Sequence, residues 1–225
     1  MELKFLIDED IVNYKKCSMF LGFPSCTWKC EKECGINGIC QNTDLAKTKS
    51  VDIDVNTLIQ RYIDNNLTSA IVCGGLEPFD SFNSLYELIK TLRLDYNCND
   101  DIVIYTGYKE NENEIINKIS QITIFKNIII KFGRFIPNSK SHFDEILGIE
   151  LASDNQYAKL YTHDGLKISL NPDENIVKSI KEKLSNNDGF CPCRLNKIDE
   201  NKCMCQEFKN TNTECECHCG LYLKV

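Results

Sequence analysis

The chain has 225 residues, 42% of them hydrophobic and 26% charged, which is enough for one full domain and a smaller second one. A formal net charge of −7 with no concentration of Lys or Arg argues against a nucleic-acid footprint and against binding to an anionic membrane. No window approaches the roughly 18 to 20 apolar residues of a membrane span, and Met1 to Asp10 is acidic where a secretory signal is basic, so a cytoplasmic location is expected.

The first apolar stretch, Met19 to Phe23, leads into a segment that carries Cys26, Cys30, Cys34 and Cys40, with Cys17 just ahead of it. In a cytoplasmic chain, thiolates at short spacings serve more often as metal ligands or redox catalysts than as disulfides. Cys26-Thr27-Trp28-Lys29-Cys30 is a CxxxC. Three thiolates on one loop can hold a [4Fe–4S] cluster and leave one iron open to a substrate or cofactor. The same spacing also admits a structural zinc site on Cys26, Cys30, Cys34 and Cys40.

Next, Val55, Leu58, Ile59, Tyr62 and Ile63 fall at helical spacing, capped by Asp54 or Asn56 and ended at Asn65-Asn66. Ser69 to Cys73 is a short apolar run that stops at Gly74-Gly75, and a second helical pattern runs from Asp80 to Leu94. The order repeats with Asp101 to Tyr105 before Thr106-Gly107, a helix around Glu112 to Ser120, and the β-rich run Ile128 to Phe132 before Gly133. This alternation predicts an α/β fold on a parallel sheet. Ligands of such sheets bind beyond the carboxyl ends of the strands, where the Gly74-Gly75 and Gly107 turns lie.

The pattern breaks around Tyr161 to Gly165, and so does the charge: 24 acidic against 17 basic residues precede position 165, with nine of each from there on. We therefore divide the chain into residues 1–164 and 165–225. Asn171-Pro172-Asp173-Glu174 opens a helix with Ile176, Val177, Ile180 and Leu184 on one face, ended at Asn186 to Gly189. The last segment shows little apolar periodicity, and a piece of about forty residues rarely folds without a staple. It holds Cys191-Pro192-Cys193, Cys203-Met204-Cys205 and Cys217-His218-Cys219, with Cys215 besides. Six paired thiolates exceed the four ligands of a cluster by two, which fits a cluster plus a redox dithiol, although a zinc-binding or purely structural tail is the alternative. Cys17, Cys73 and Cys98 have no partner pattern and read as small hydrophobes.

Several of these segments together resemble one family. They are Asp10-Ile11-Val12-Asn13, Ser18-Met19-Phe20-Leu21, the CxxxC, Cys40-Gln41-Asn42, Gly74-Gly75-Leu76-Glu77-Pro78, Tyr105-Thr106-Gly107-Tyr108, Gly133-Arg134-Phe135-Ile136 and Ser153-Asp154-Asn155-Gln156. They resemble the activating enzymes of anaerobic (class III) ribonucleotide reductases, of the radical SAM superfamily, over roughly residues 8 to 160. The resemblance implies a partial parallel-sheet barrel, a [4Fe–4S] cluster on Cys26, Cys30 and Cys40, and S-adenosylmethionine held by Gly74, Gly75 and Glu77. The implied chemistry is one-electron reduction, reductive cleavage of the sulfonium, and hydrogen abstraction by a 5′-deoxyadenosyl radical. The partner would be the glycyl-radical enzyme, an anaerobic ribonucleotide reductase. The sequence departs from the family at two points. The family's third cysteine follows the second by three positions, whereas Cys34 follows Cys30 by four and Cys40 by ten, so Cys34 is an alternative third ligand. Leu76 also interrupts the GG(D/E)P order.

The tail, with its CPC, CxC and CHC pairs and the closing Cys217-His218-Cys219-Gly220-Leu221-Tyr222, is similar to the catalytic subunit of ferredoxin–thioredoxin reductase over about residues 187 to 225. This second resemblance implies a [4Fe–4S] cluster on Cys191, Cys203, Cys205 and Cys217, a redox disulfide between Cys193 and Cys219, and proton transfer assisted by His218. It also implies a ferredoxin- or flavodoxin-type electron donor and a thioredoxin-like target. Here the loop between Cys205 and Cys217 is longer, most of the helical scaffold is absent, and Cys215 is available to replace a ligand. The expected C-terminal domain is small, mostly helical and loop-rich, and stapled by its cluster. Two functions follow. One is a radical-generating activase that carries its own disulfide reductase. The other is a ferredoxin-dependent thioredoxin/disulfide reductase whose N-terminal cluster transfers electrons without cleaving S-adenosylmethionine.

Overall fold

The computed structural model describes residues 1–161, 168–211 and 215–224. It comprises two compact units, Met1–His163 and Asp164–Val225. The expected pattern break from Tyr161 to Gly165 lies, past Tyr161, outside the described residues.

The first unit contains β1 (Glu2–Leu3), β2 (Phe5–Asp10), β3 (Ser18–Phe23), α1 (Lys29–Cys34), α2 (Thr43–Lys47), β4 (Val51–Asp52), α3 (Val55–Ile63) and β5 (Ala70–Gly75). It continues with α4 (Phe82–Leu94), β6 (Asp101–Tyr105), α5 (Asn113–Ile122), β7 (Ile128–Phe132), β8 (His142–Asp144), β9 (Ile149–Leu151) and β10 (Tyr157–Tyr161). Six strands form one sheet in the order β10-β7-β6-β5-β3-β2. The four central strands are parallel, and both edges are antiparallel. The expected α/β fold on a parallel sheet is present, with antiparallel strands added at both edges so that the sheet is mixed. The reason is connectivity. β2 and β3 are joined by a short turn, which permits only antiparallel pairing, and β10 returns through the β8–β9 hairpin, not a crossover helix.

Period-two alternation divides the central strands between two apolar layers. Ile71, Cys73, Ile102, Ile104, Ile128 and Ile130 face a core completed by Leu58 and Ile59 of α3, Leu85, Leu88 and Ile89 of α4, and Ile115 and Ile119 of α5. Ala70, Val72, Val103 and Ile129 face a smaller layer with Tyr14, Leu147 and Leu151. Cys73, in the larger of the two layers, is fully buried as a small hydrophobe. Of the two candidate caps of α3, Asp54 is the one used: its carboxylate accepts the Thr57 N–H at 2.9 Å. All four parallel strands end at the same edge of the sheet, with Phe23 in register with Gly75 and Tyr105 with Lys131. Gly75 takes a φ of 81°, and a Cβ there would lie 2.7 Å from the Gly22 Cα, so the turn requires glycine.

The second unit holds β11 (Ile168–Leu170), α6 (Glu174–Ser185), α7 (Gln206–Asn210), β12 (Cys215–Glu216) and β13 (Tyr222–Lys224). An antiparallel sheet, β11-β13-β12, supplements the expected helices and loops. Its strands are too short to show alternation in the sequence. Cys205, Phe208, Cys217 and Leu221 form the buried cluster, with Val177, Ile180 and Leu184 of α6 packed against it. Ile176, expected on that face, is instead exposed. Among the described residues no helix is long and apolar enough to cross a membrane.

Candidate metal centres

The loop after β3 folds over the carboxyl edge of the sheet. Cys26, Cys30 and Cys40 line one cleft of about 380 Å³ there, together with Gly74, Gly75, Glu77, Gly107 and Lys131. That volume suits a small organic ligand. Cys34, the last residue of α1, is not part of this lining.

Each of the three thiols receives a backbone N–H. Trp28 donates to Cys26 Sγ at 3.3 Å, Asn42 donates to Cys40 Sγ at 3.4 Å, and Phe135 donates to Cys30. Such bonds favour the thiolate and are among the protein's levers on cluster potential. Burial works the other way. It pushes the Cys26 thiol up to about 12 despite the Trp28 N–H, with Glu77 and Asp80 adding to the effect, and it raises Cys30 as well. Burial thus keeps these thiols protonated, and a metal ion that binds the sulfurs has to displace the protons. Gly107 leaves them room, because a Cβ at that position would come within 3.3 Å of Cys30 Sγ.

Glu77 is 6% exposed. Its two carboxylate oxygens accept N–H groups from Phe79 at 3.1 Å and Gly107 at 2.9 Å. Burial nonetheless pushes it up to about 7. The extra residue Leu76 is absorbed by continued pairing beyond β5, since the Leu76 and Glu77 N–H groups donate to the Phe23 and Ser25 carbonyls.

The ligand pattern did not reveal Lys131, 7% exposed, whose ammonium donates to the Gly133 carbonyl at 3.0 Å and which burial lowers to about 8. The available signal was a lysine inside an otherwise unbroken apolar strand, Ile128 to Phe132.

In the second unit, Cys191, Cys203, Cys205 and Cys217 line one small pocket, joined by Cys219 and His218. Cys217 Sγ lies 3.4 Å from Cys219 Sγ and accepts the Tyr222 N–H at 3.1 Å. Burial, helped by Cys217, pushes the Cys219 thiol up to about 12. Cys193 lies outside the pocket lining. It is exposed, and its thiol donates to the His218 carbonyl at 3.5 Å, one residue from Cys219. The His218 ring meets Glu207 at 3.2 Å, and Glu207 also pairs with Arg194. Cys215, in β12, packs against the same cluster but is not part of the lining.

Among the described residues, no three His, Cys, Asp or Glu side chains converge tightly enough to hold a single ion. In each unit several of the thiols line one cavity. Soft sulfur donors with N–H partners and a neighbouring glycine cradle fit an iron–sulfur group at the first site.

No curated protein matches the chain. The family described as 4Fe-4S single cluster domain matches residues 15–156, a span that includes Cys26, Cys30, Cys34 and Cys40 and ends before the tail. The chain belongs to this family and is an iron–sulfur protein.

Proposed function

We propose that the protein is an iron–sulfur oxidoreductase with two [4Fe–4S] sites. Cys26, Cys30 and Cys40 would hold the cluster of a radical SAM activating enzyme whose partner is an anaerobic ribonucleotide reductase. Cys191, Cys203, Cys205 and Cys217 would hold a second cluster that serves a Cys193/Cys219 dithiol. The observation that carries the reading is the sharing of one cleft by Cys26, Cys30 and Cys40, without Cys34, with Gly74, Gly75 and Glu77. On this reading the parallel strands β3, β5, β6 and β7 are an arc of a partial barrel. When bound, the clusters supply single electrons, to the sulfonium of S-adenosylmethionine in the first unit and to the dithiol pair in the second.

The chain's own groups do the rest. Gly74 and Gly75 leave the strand end bare, so that the ligand's amino-acid part reaches the backbone. Glu77 fixes the Gly107 turn through its N–H, and Lys131 lends an ammonium for a carboxylate. In the tail, the exposed Cys193 attacks the disulfide of a thioredoxin-like target: the target S–S bond breaks and a mixed disulfide forms. Cys219 then attacks Cys193 Sγ and releases the second target thiol. Two electrons from a ferredoxin- or flavodoxin-type donor and two protons restore the pair, with His218, held by Glu207, placed to move a proton. Such thiol chemistry suits the cytoplasm.

A second reading is favoured by Glu77, whose two oxygens are already engaged by backbone N–H groups: the first cluster then only transfers electrons. Anaerobic reconstitution with iron and sulfide, dithionite reduction, addition of S-adenosylmethionine and assay for 5′-deoxyadenosine separates the two. Product from the wild type and from Cys34→Ala, but not from Cys40→Ala, supports the activase and its ligand set. A fully loaded wild type that makes none leaves electron transfer.

A further inference from the structure

The charge around the first cluster site is set by residues outside the ligand pattern. Arg134, just past β7, has a side chain 4% exposed, and its guanidinium grips both oxygens of Glu112 at 2.6 and 2.9 Å. The same guanidinium lies 3.3 Å from Glu33 in α1. Lys29, the residue before Cys30, reaches Glu112 at 3.0 Å.

These pairs tie three segments together: α1, which carries Cys30; the turn into α5; and the exit of β7, whose Phe135 N–H bonds the Cys30 sulfur. Gly107 lies between the partners, since a Cβ there would sit 3.3 Å from Cys30 Sγ and 3.8 Å from Arg134 Cγ. The Arg134 Nε–H is buried without a partner, a donor that negative charge on the Cys30 side would satisfy. A planar fork held on a carboxylate is both stiff and fully charged.

We infer that the Arg134–Glu112 pair is an electrostatic clasp that positions the Cys30 loop and sets the local charge at the cluster, so that its two members tune cluster reduction in opposite directions. The inference rests on Cys30 being a cluster ligand, as proposed above. Removing Arg134 takes one positive charge from beside the site and leaves Glu112 only Lys29, so electron uptake becomes harder. Removing Glu112 takes one negative charge away and leaves Arg134 only Glu33, so electron uptake becomes easier.

The test uses the full-length chain carrying Cys203→Ser and Cys217→Ser, so that the first site alone reports. After anaerobic reconstitution, a dithionite titration followed by electron paramagnetic resonance gives the midpoint potential. The expected result is a lower potential in Arg134→Gln, a higher one in Glu112→Gln, and a return toward the parent in the double variant. Shifts of the same sign, or none in loaded variants, would overturn the clasp; a merely structural role moves iron content and melting temperature without this sign reversal. Should Arg134→Gln fail to load, Arg134→Lys decides, because it keeps the charge and loses the fork. A parent-like potential with reduced iron content supports the clasp, and a lowered potential at full loading sinks it. Unchanged iron content and spectrum in Cys30→Ala would instead strike the ligand assignment itself.

Discussion

In the first unit the cysteines lie on a loop over a core that is complete without them. Leu21, Phe23, Ile71, Leu88, Ile104 and Ile130 are fully buried, while α1, which carries Cys30 and Cys34, buries no residue. In the second unit the cysteines belong to the core itself: Cys205 and Cys217 are buried with Phe208 and Leu221, and α6 buries none of its residues. The same side chain is therefore an attachment in one place and a keystone in the other. On the proposed reading, iron at the first site would serve chemistry, whereas iron at the second would also substitute for the apolar surface that a short segment lacks.

The largest effect expected from this contrast is on folding. Stripping iron with a chelator under reducing conditions should abolish hydrogen-exchange protection across residues 190–211 and 215–224, because a structural metal in a small domain is worth on the order of 10 kcal/mol. Strands β3, β5, β6 and β7 should keep theirs. Protection of the tail that survives iron removal would break the comparison.

A smaller effect separates two buried lysines. Lys131 is held by the Gly133 carbonyl, while the Lys224 ammonium bonds the Phe208 and Thr211 carbonyls at 2.5 Å each. Burial lowers Lys131 to about 8, below its unfolded value of 10.5. The unfolded chain therefore binds the extra proton between these values, and stability rises with pH through that window. At pH 7 the buried charge is a cost, and Lys131→Met should stabilise the first unit by about 1–3 kcal/mol in urea unfolding while weakening ligand binding in the cleft. Lys224→Met should have the opposite sign, a loss of about 1–3 kcal/mol, because it leaves carbonyls unpaired. Equal signs would mean that Lys131 is a structural strut like Lys224.

How much of this was legible depends on whether the signal is local. The strands and helices from Val55 to Phe132 follow from apolar period and glycine turns, and they form with ends shifted by at most a few residues. The edge strand β2, Phe5 to Asp10, is half acidic and pairs only because β3 lies beside it, so its composition conceals it. Spacing left Cys34 and Cys40 open as third ligand. The difference arises where α1 stops at Gly35, which takes a φ of 69°, and the chain turns back to bring Cys40 into the cleft. Arg134 and Glu112 are twenty-two residues apart, a separation that no helical or strand period relates. Such pairs are visible only after the sheet has assembled.

The smallest effect concerns the helix caps. Asp173 caps α6 by accepting the Asn175 N–H at 2.9 Å, as Asp54 caps α3 by accepting the Thr57 N–H at 2.9 Å. The two helices differ in anchorage: α3 buries Val55, Leu58, Ile59 and Tyr62, and α6 buries none. Loss of a cap costs about 1 kcal/mol, or about a fivefold change in a local opening equilibrium. In iron-loaded Asp173→Ala the helix can open without disturbing the rest, so exchange should accelerate about fivefold over residues 174–185 and stay unchanged around the cysteines. Asp54→Ala should not give α3 an opening of its own, because that opening would expose four core residues, and its amides should continue to exchange with the sheet. If Asp173→Ala accelerates exchange through the whole tail, then Val177, Ile180 and Leu184 are integral to the cysteine cluster, and helix and cluster form one cooperative unit.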